Sequence, residues 1–175
     1  MNNQTHYSIL TRLLIPICLF FSLLIMVATG NAQEKPPRPI QVSVSTAQHL
    51  SFGTIIQGGS FGTVTVSNDG VRSSTGSIIL PNMISTVTPA LFIVDAEPGT
   101  LIRIVKSPAI LTGSNGGSLS LTLGDASVEH QSQSQFITHS QYTDVFIGGT
   151  LEVESLLADP AGFYSGTFQV TFIQE

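Results

Sequence analysis

The chain has 175 residues, with six Lys+Arg against eleven Asp+Glu, a formal net charge of −5 and charged residues at 10%, far below the ~25% of an average soluble domain. Such a surface repels phosphate backbones, which are bound through clustered basic residues, so nucleic acid is excluded as a partner. A single cysteine, Cys18, excludes an intrachain disulfide framework, and the length suits one domain that can bury a core without a metal or cofactor.

Residues 1–32 read as a secretory signal peptide. A polar start carries Arg12, an apolar run extends from Leu13 to Ala28, and Gly30-Asn31-Ala32 supplies the small-residue exit before Gln33. The run falls short of the ~20 apolar residues of a membrane span, and Pro16 interrupts it. Membrane contact is then confined to export, and the destination is the cell surface, the periplasm or the medium. Cys18 leaves with the signal, and no cysteine stands at the cleavage point to carry a lipid.

Residues 33–39 form a proline-rich linker in which Pro36, Pro37 and Pro39 favour an extended polyproline conformation. From Ile40 to the end, apolar residues alternate with period two, the mark of half-buried strands, and no segment sustains a helical period. Strands are predicted over 41–46, 61–67 with Val64 and Val66 inward, 118–123 with Leu119, Leu121 and Leu123 inward, and 166–173 with Phe168, Val170 and Phe172 inward. Turn chemistry separates them at Asn68-Asp69-Gly70, Glu97-Pro98-Gly99, 113–117 and Asp159-Pro160-Ala161-Gly162. The polar tract His130-Gln131-Ser132-Gln133-Ser134-Gln135 reads as an exposed loop or edge. Many short strands with frequent turns predict an all-β, antiparallel sandwich over residues 40–175, immunoglobulin-like in its layering.

No constellation of residues rises to catalysis. Gly58-Gly59-Ser60-Phe61-Gly62 matches the nucleophile elbow of serine hydrolases, with His130 and His139 downstream, but the elbow needs a helix after the serine, and Thr63-Val64-Thr65-Val66 continues as a strand. The pattern reads instead as a glycine-rich turn before a strand. His49, His130 and His139 lack the spacing of a zinc site, and no twelve-residue calcium loop occurs. Glu152 and Glu154 share one strand face with Leu151 and Val153 on the other, the pattern of a solvated outer face. No catalytic, cofactor-binding or metal-binding residue is assigned, and no cofactor is expected.

Six stretches in order resemble a bacterial secreted family, domain of unknown function family 4402. They are Leu50-Ser51-Phe52-Gly53, Gly62-Thr63-Val64-Thr65-Val66, Gly70-Val71-Arg72-Ser73 through Gly76, Ala90-Leu91-Phe92-Ile93-Val94, Ile147-Gly148-Gly149-Thr150-Leu151, and Gly162 through Phe168. The resemblance implies an exported, pilin-like β-sandwich linked to pilus subunits and surface adhesins, without catalytic residues to transfer. The chain departs from the family by closing on Thr171-Phe172-Ile173-Gln174-Glu175. It resembles chaperone-assembled pilins in having Gly162 fourteenth from the end, and differs in having Gln174 where those have an aromatic residue and in lacking their cysteine pair.

These readings converge on a non-enzymatic structural or surface protein, pilin-like or adhesin-like, working through sheet edges and polar faces by self-association or with other surface proteins. Ile40, Val42 and Val44 could donate a strand to a second subunit, against local pairing within their own domain. The alternative is a carbohydrate- or ligand-binding module with a patch at Tyr142 or Tyr164.

Overall fold

The computed structural model describes residues 48–81 and 85–175 in full and the backbone of 41–44. All of them fall in one unit, Arg38–Glu175. The signal peptide, the proline-rich linker and Ile40 lie outside the described residues, as do the side chains of Val42 and Val44.

The fold is an antiparallel β-sandwich. Among the described residues twelve strands form it: β1 (Gln41–Val44), β2 (Ile56–Val66), β3 (Arg72–Ile79), β4 (Ala90–Asp95), β5 (Leu101–Lys106), β6 (Ala109–Gly113), β7 (Ser118–Val128), β8 (Gln131–Gln133), β9 (Gln135–Ile137), β10 (Tyr142–Val153), β11 (Tyr164–Ser165) and β12 (Val170–Gln174). Nine of them make one sheet, and β12, β5 and β9 make a second.

The large sheet branches around two long strands. Along one side of β10, residues Tyr142–Ile147 pair with β4, and Gly149–Val153 pair with β2. Its other side pairs with β7, which in turn takes β6 along its first half and β8 along its second. Two half-sheets result, β1-β4-β10-β7-β8 and β3-β2-β10-β7-β6-β11, sharing β10 and β7.

The branch point is Gly148-Gly149. The register against β7 shifts between Ile147 and Gly149, a bulge that bends β10 where β4 gives way to β2. A Cβ at Gly148 would collide with the carbonyl oxygen of Val66, at the end of β2, so only glycine lets the two backbones meet there.

Alternation builds the core. Val64 and Val66 of β2, Leu119, Leu121 and Leu123 of β7, and Leu151 and Val153 of β10 are buried on one face. Leu151 stands between Val64 and Leu121 in register. The small sheet adds Ile102, Ile104 and Phe136 to the same cluster. Phe92 of β4 joins the layers across its edge, its ring centroid 5.6 Å from that of Phe172 and 6.4 Å from that of Phe168. On the outer face the hydroxyls satisfy one another: Thr63 Oγ1 lies 2.7 Å from Thr75 Oγ1, and Thr65 Oγ1 lies 2.9 Å from Thr150 Oγ1.

Two local expectations change, and a third resolves to one of its alternatives. Gly58-Gly59-Ser60 is not a turn ahead of a strand but lies within β2, which starts at Ile56 and absorbs the irregularity as a register shift between Gln57 and Gly62. The final strand does not run unbroken over 166–173. After β11 the chain leaves the large sheet at Gly166, packed so tightly on the Ile110 carbonyl that a Cβ has no room, and resumes as β12 in the small sheet. The polar tract, expected as an exposed loop or edge, forms edges: among the described residues β8 pairs with β7 alone, and β9 crosses to the small sheet beside β5 alone. The turn that allows this is Glu129-His130, whose positive φ values of 50° and 66° are those of a tight type I′ hairpin.

The branch point yields a direct test. Gly148→Ala should cost at least about 3 kcal/mol, because neither backbone can retreat from the added methyl group. Gly124→Ala, whose Cβ would meet the nearby Gly148 carbonyl oxygen at an ordinary 3.6 Å, should stay within about 0.5 kcal/mol. Urea denaturation midpoints of the two variants measure the difference.

Candidate functional site

The small sheet covers only part of the large one. Over the half built from β2, β10, β7 and β6, the inner face is bordered by the irregular segment Leu50–Ile55 on one side and by the residues around Tyr164 on the other. Between them runs an apolar groove in two connected stretches of about 530 Å³ and 390 Å³ that share Ile55, Leu119, Gly162 and Tyr164.

Its floor is core alternation left open. Leu119 of β7 with Leu151 and Val153 of β10 point into it as continuations of the buried face. The first wall is held by backbone and by one cation. Ser51 and Thr88 exchange N–H to O bonds of 2.8 and 3.1 Å, and Arg72 Nη1 donates to the carbonyls of Phe52 and Thr54 at 3.0 Å each. Arg72 therefore spends its Nη1 donors on the chain's own backbone and pins Phe52 beside the groove.

The second wall is built around a buried carboxylate. Asp159 accepts from the backbone N–H of Glu154 at 2.7 Å and of Ser118 at 3.3 Å, tying the end of β10 to the start of β7. Tyr164 donates its hydroxyl to the Pro160 carbonyl at 2.7 Å, and Ser114 and Phe163 bond each other through 2.8 and 3.1 Å contacts. Burial and, second, the Asp159 carboxylate raise the Tyr164 phenol above its ordinary value of 10.0. Phe163 follows with its ring 89% exposed, and Leu157 stands 95% exposed beyond the same wall.

The residues singled out from the sequence are scattered. Tyr164 belongs to the groove wall, whereas Tyr142 lies at the opposite end of β10, paired with Asp95, 62% exposed and beside a separate recess of about 460 Å³ lined by Glu129, His130 and Asp144. The structure therefore brings no single patch together from the two tyrosines. His139 Nδ1 sits 3.1 Å from both Glu129 carboxylate oxygens, His130 occupies the hairpin turn, and His49 is exposed. Ser60 is followed by strand, and its carbonyl accepts from Ser77 Oγ. Gln41–Val44, the expected donor strand, pairs with β4 of its own domain from Gln41 opposite Asp95 to Val44 opposite Phe92. Glu152 and Glu154 are both exposed.

Sequence reading missed the groove because its parts come from four separated segments, each ordinary by itself. The available signal was the run Leu156-Leu157 and Phe163 in a turn-rich stretch, apolar side chains where loop chemistry calls for polar ones.

An all-β sandwich that, among the described residues, has a partial second layer, several open edges and an apolar groove is the class of protein these features define. The chain matches the model of the family described as Domain of unknown function (DUF4402) over residues 42–173, and it belongs to that family. No curated protein and no solved structure matches it.

The phenol gives a pH prediction. Because Tyr164 holds its proton more tightly folded than unfolded, its contribution is fully present below pH ~10 and is lost as pH rises through the raised value. Stability should therefore fall above pH ~10 more steeply in the native chain than in Tyr164→Phe, as read from thermal midpoints across pH 8–11.

Proposed function

We propose that the protein is an exported, non-enzymatic structural component, pilin-like or adhesin-like, that associates through its sheet edges. The observation that carries this reading is the character of β3. It pairs only with β2 among the described residues, and at eight residues it is the longest strand with one free side. Edge strands are ordinarily guarded by outward charge or proline. β3 has neither proline nor any charge besides Arg72, whose guanidinium is turned back onto the Phe52 and Thr54 carbonyls. Gly76, with φ of 65°, lies beside the β2 irregularity between Gln57 and Gly62.

The position of β1 supports the same reading. Four residues join the sheet through β4 alone, at its outermost place, directly after the proline-rich segment. A strand so lightly held can pair with a β4 of its own domain or of a neighbour through the same backbone bonds.

Light scattering of the chain begun at Gln33, beside Ser73→Lys and a form starting at Leu50, tests the proposal. Ser73 is exposed on β3. Polymers that disappear in either variant support edge association, whereas a monomer at every concentration in the parent chain rejects it.

A binding module remains the second reading, favoured by exposed Tyr142 beside its acidic recess. It predicts retention on immobilised polysaccharide that falls at least about tenfold in Tyr142→Ala, the loss of one aromatic platform.

A further inference from the structure

Alternation puts Tyr142, Asp144 and Phe146 together on the outer face of β10, because Thr143, Val145 and Ile147 are buried on the other. Their antiparallel partners on β4 share that face: Asp95 stands opposite Tyr142, Ile93 opposite Asp144 and Leu91 opposite Phe146. The outer face at β2 and β3 is hydroxylic, with Thr63 bonded to Thr75 and Thr65 to Thr150. This one instead sets two aromatic rings and two aliphatic side chains around a carboxylate. Phe146, Ile93 and Leu91 are half-buried, and Tyr142 is exposed at the end of the row.

We propose that this face binds an amine-bearing glycan, a chain of amino-sugar residues. The inference rests on the binding-module reading above and names its ligand class and the side chains that select it.

Shape is the first argument. The rings of Tyr142 and Phe146 belong to residues four apart on one strand, ~13 Å along it, and both line the recess of about 460 Å³. An extended polymer touches both, and the apolar C–H face of a pyranose ring lies flat on an aromatic one. Polar groups placed among apolar ones are what fixes the orientation of such a ligand. Asp144 stands between the two rings, and Glu129 joins the lining from the hairpin turn, its carboxylate held by His139 Nδ1 at 3.1 Å from both oxygens.

Charge is the second. Asp144 and Glu129 line the recess, and Asp95 adds a carboxylate to the same face. Each Lys and Arg among the described residues is engaged elsewhere: Arg72 with the Phe52 and Thr54 carbonyls, Arg103 with Glu175, and Lys106 with Asp125. A uronate chain meets carboxylates there with no Lys or Arg to receive it, whereas a protonated amine meets complementary charge. The face of Tyr142 adds its own attraction for an ammonium group. An amino sugar supplies the cation and the flat apolar face in one residue; a basic peptide supplies only the cation.

Isothermal titration of the chain begun at Gln33, at neutral pH and low salt, tests the proposal with glucosamine oligosaccharides, their N-acetylated counterparts, oligogalacturonate and oligolysine. The free amines should bind about fivefold or more tighter than the acetylated chain, and oligogalacturonate should not bind. Asp144→Asn should bring that ratio close to one while leaving the acetylated chain's affinity unchanged, and Tyr142→Ala should weaken both saccharides about tenfold. Both side chains are exposed, so neither variant threatens the fold. Equal affinity for free and acetylated amines, or binding of oligogalacturonate, overturns the amine selectivity and leaves the binding-module reading standing. Oligolysine bound as tightly as the glucosamine chain overturns the glycan assignment. Absence of binding to any saccharide overturns both the inference and the reading it rests on.

Discussion

Everything in this fold passes through the close approach of Gly148 to the end of β2. One strand, β10, serves two half-sheets in succession, and it can do so only if β4 ends and β2 begins on the same side within a residue or two. That hand-over requires the backbone of β10 to lie against the Val66 carbonyl with no side chain between. The register shift between Ile147 and Gly149 marks the bulge at that hand-over.

Among the described residues, the second layer covers only part of the large sheet. Strands β5, β9 and β12 gather over the half that contains β4, where Phe92 meets Phe168 and Phe172. The other half keeps the same inward alternation but receives only the segment Leu50–Ile55 and the wall around Tyr164. A groove is what remains when a core is built for two layers and supplied with one and a half. Its walls are correspondingly anchored by polar groups, Arg72 on one side and Asp159 on the other, because packing alone does not hold them.

Much of the architecture was legible in the alternation. Val64 with Val66, the three leucines of β7, and Leu151 with Val153 opposite Glu152 and Glu154 all face as period two dictates, since a half-buried strand has no other way to place them. Local chemistry was legible less often. Gly58-Gly59 has turn composition yet lies within β2, in the irregular stretch between Gln57 and Gly62 where Ser77 Oγ accepts from the Ser60 N–H, a contact that no local signal announces. Glu129-His130 makes a tight hairpin without the glycine or asparagine that usually marks one, so β8 and β9 were hidden in a polar tract. The groove was least legible of all, being a property of which strands the small sheet leaves uncovered. The donor-strand residues Ile40, Val42 and Val44 fall partly outside the described residues, and only the backbone pairing of 41–44 with β4 bears on them.

The threonine pairs on the outer face carry one more consequence. Hydroxyls that bond across strands, Thr63 to Thr75 and Thr65 to Thr150, do for this surface what ion pairs do for many others. The ion pairs present among the described residues, Arg103 with Glu175, Lys106 with Asp125 and His139 with Glu129, are at least partly exposed, and such pairs contribute little. Apart from the Arg72 and Asp159 anchors, folding free energy is thus held in aliphatic burial and neutral hydrogen bonds, which need no counterions. Screening by dilute salt therefore finds few paired charges to act on, and the domain's stability should change little across low to physiological ionic strength.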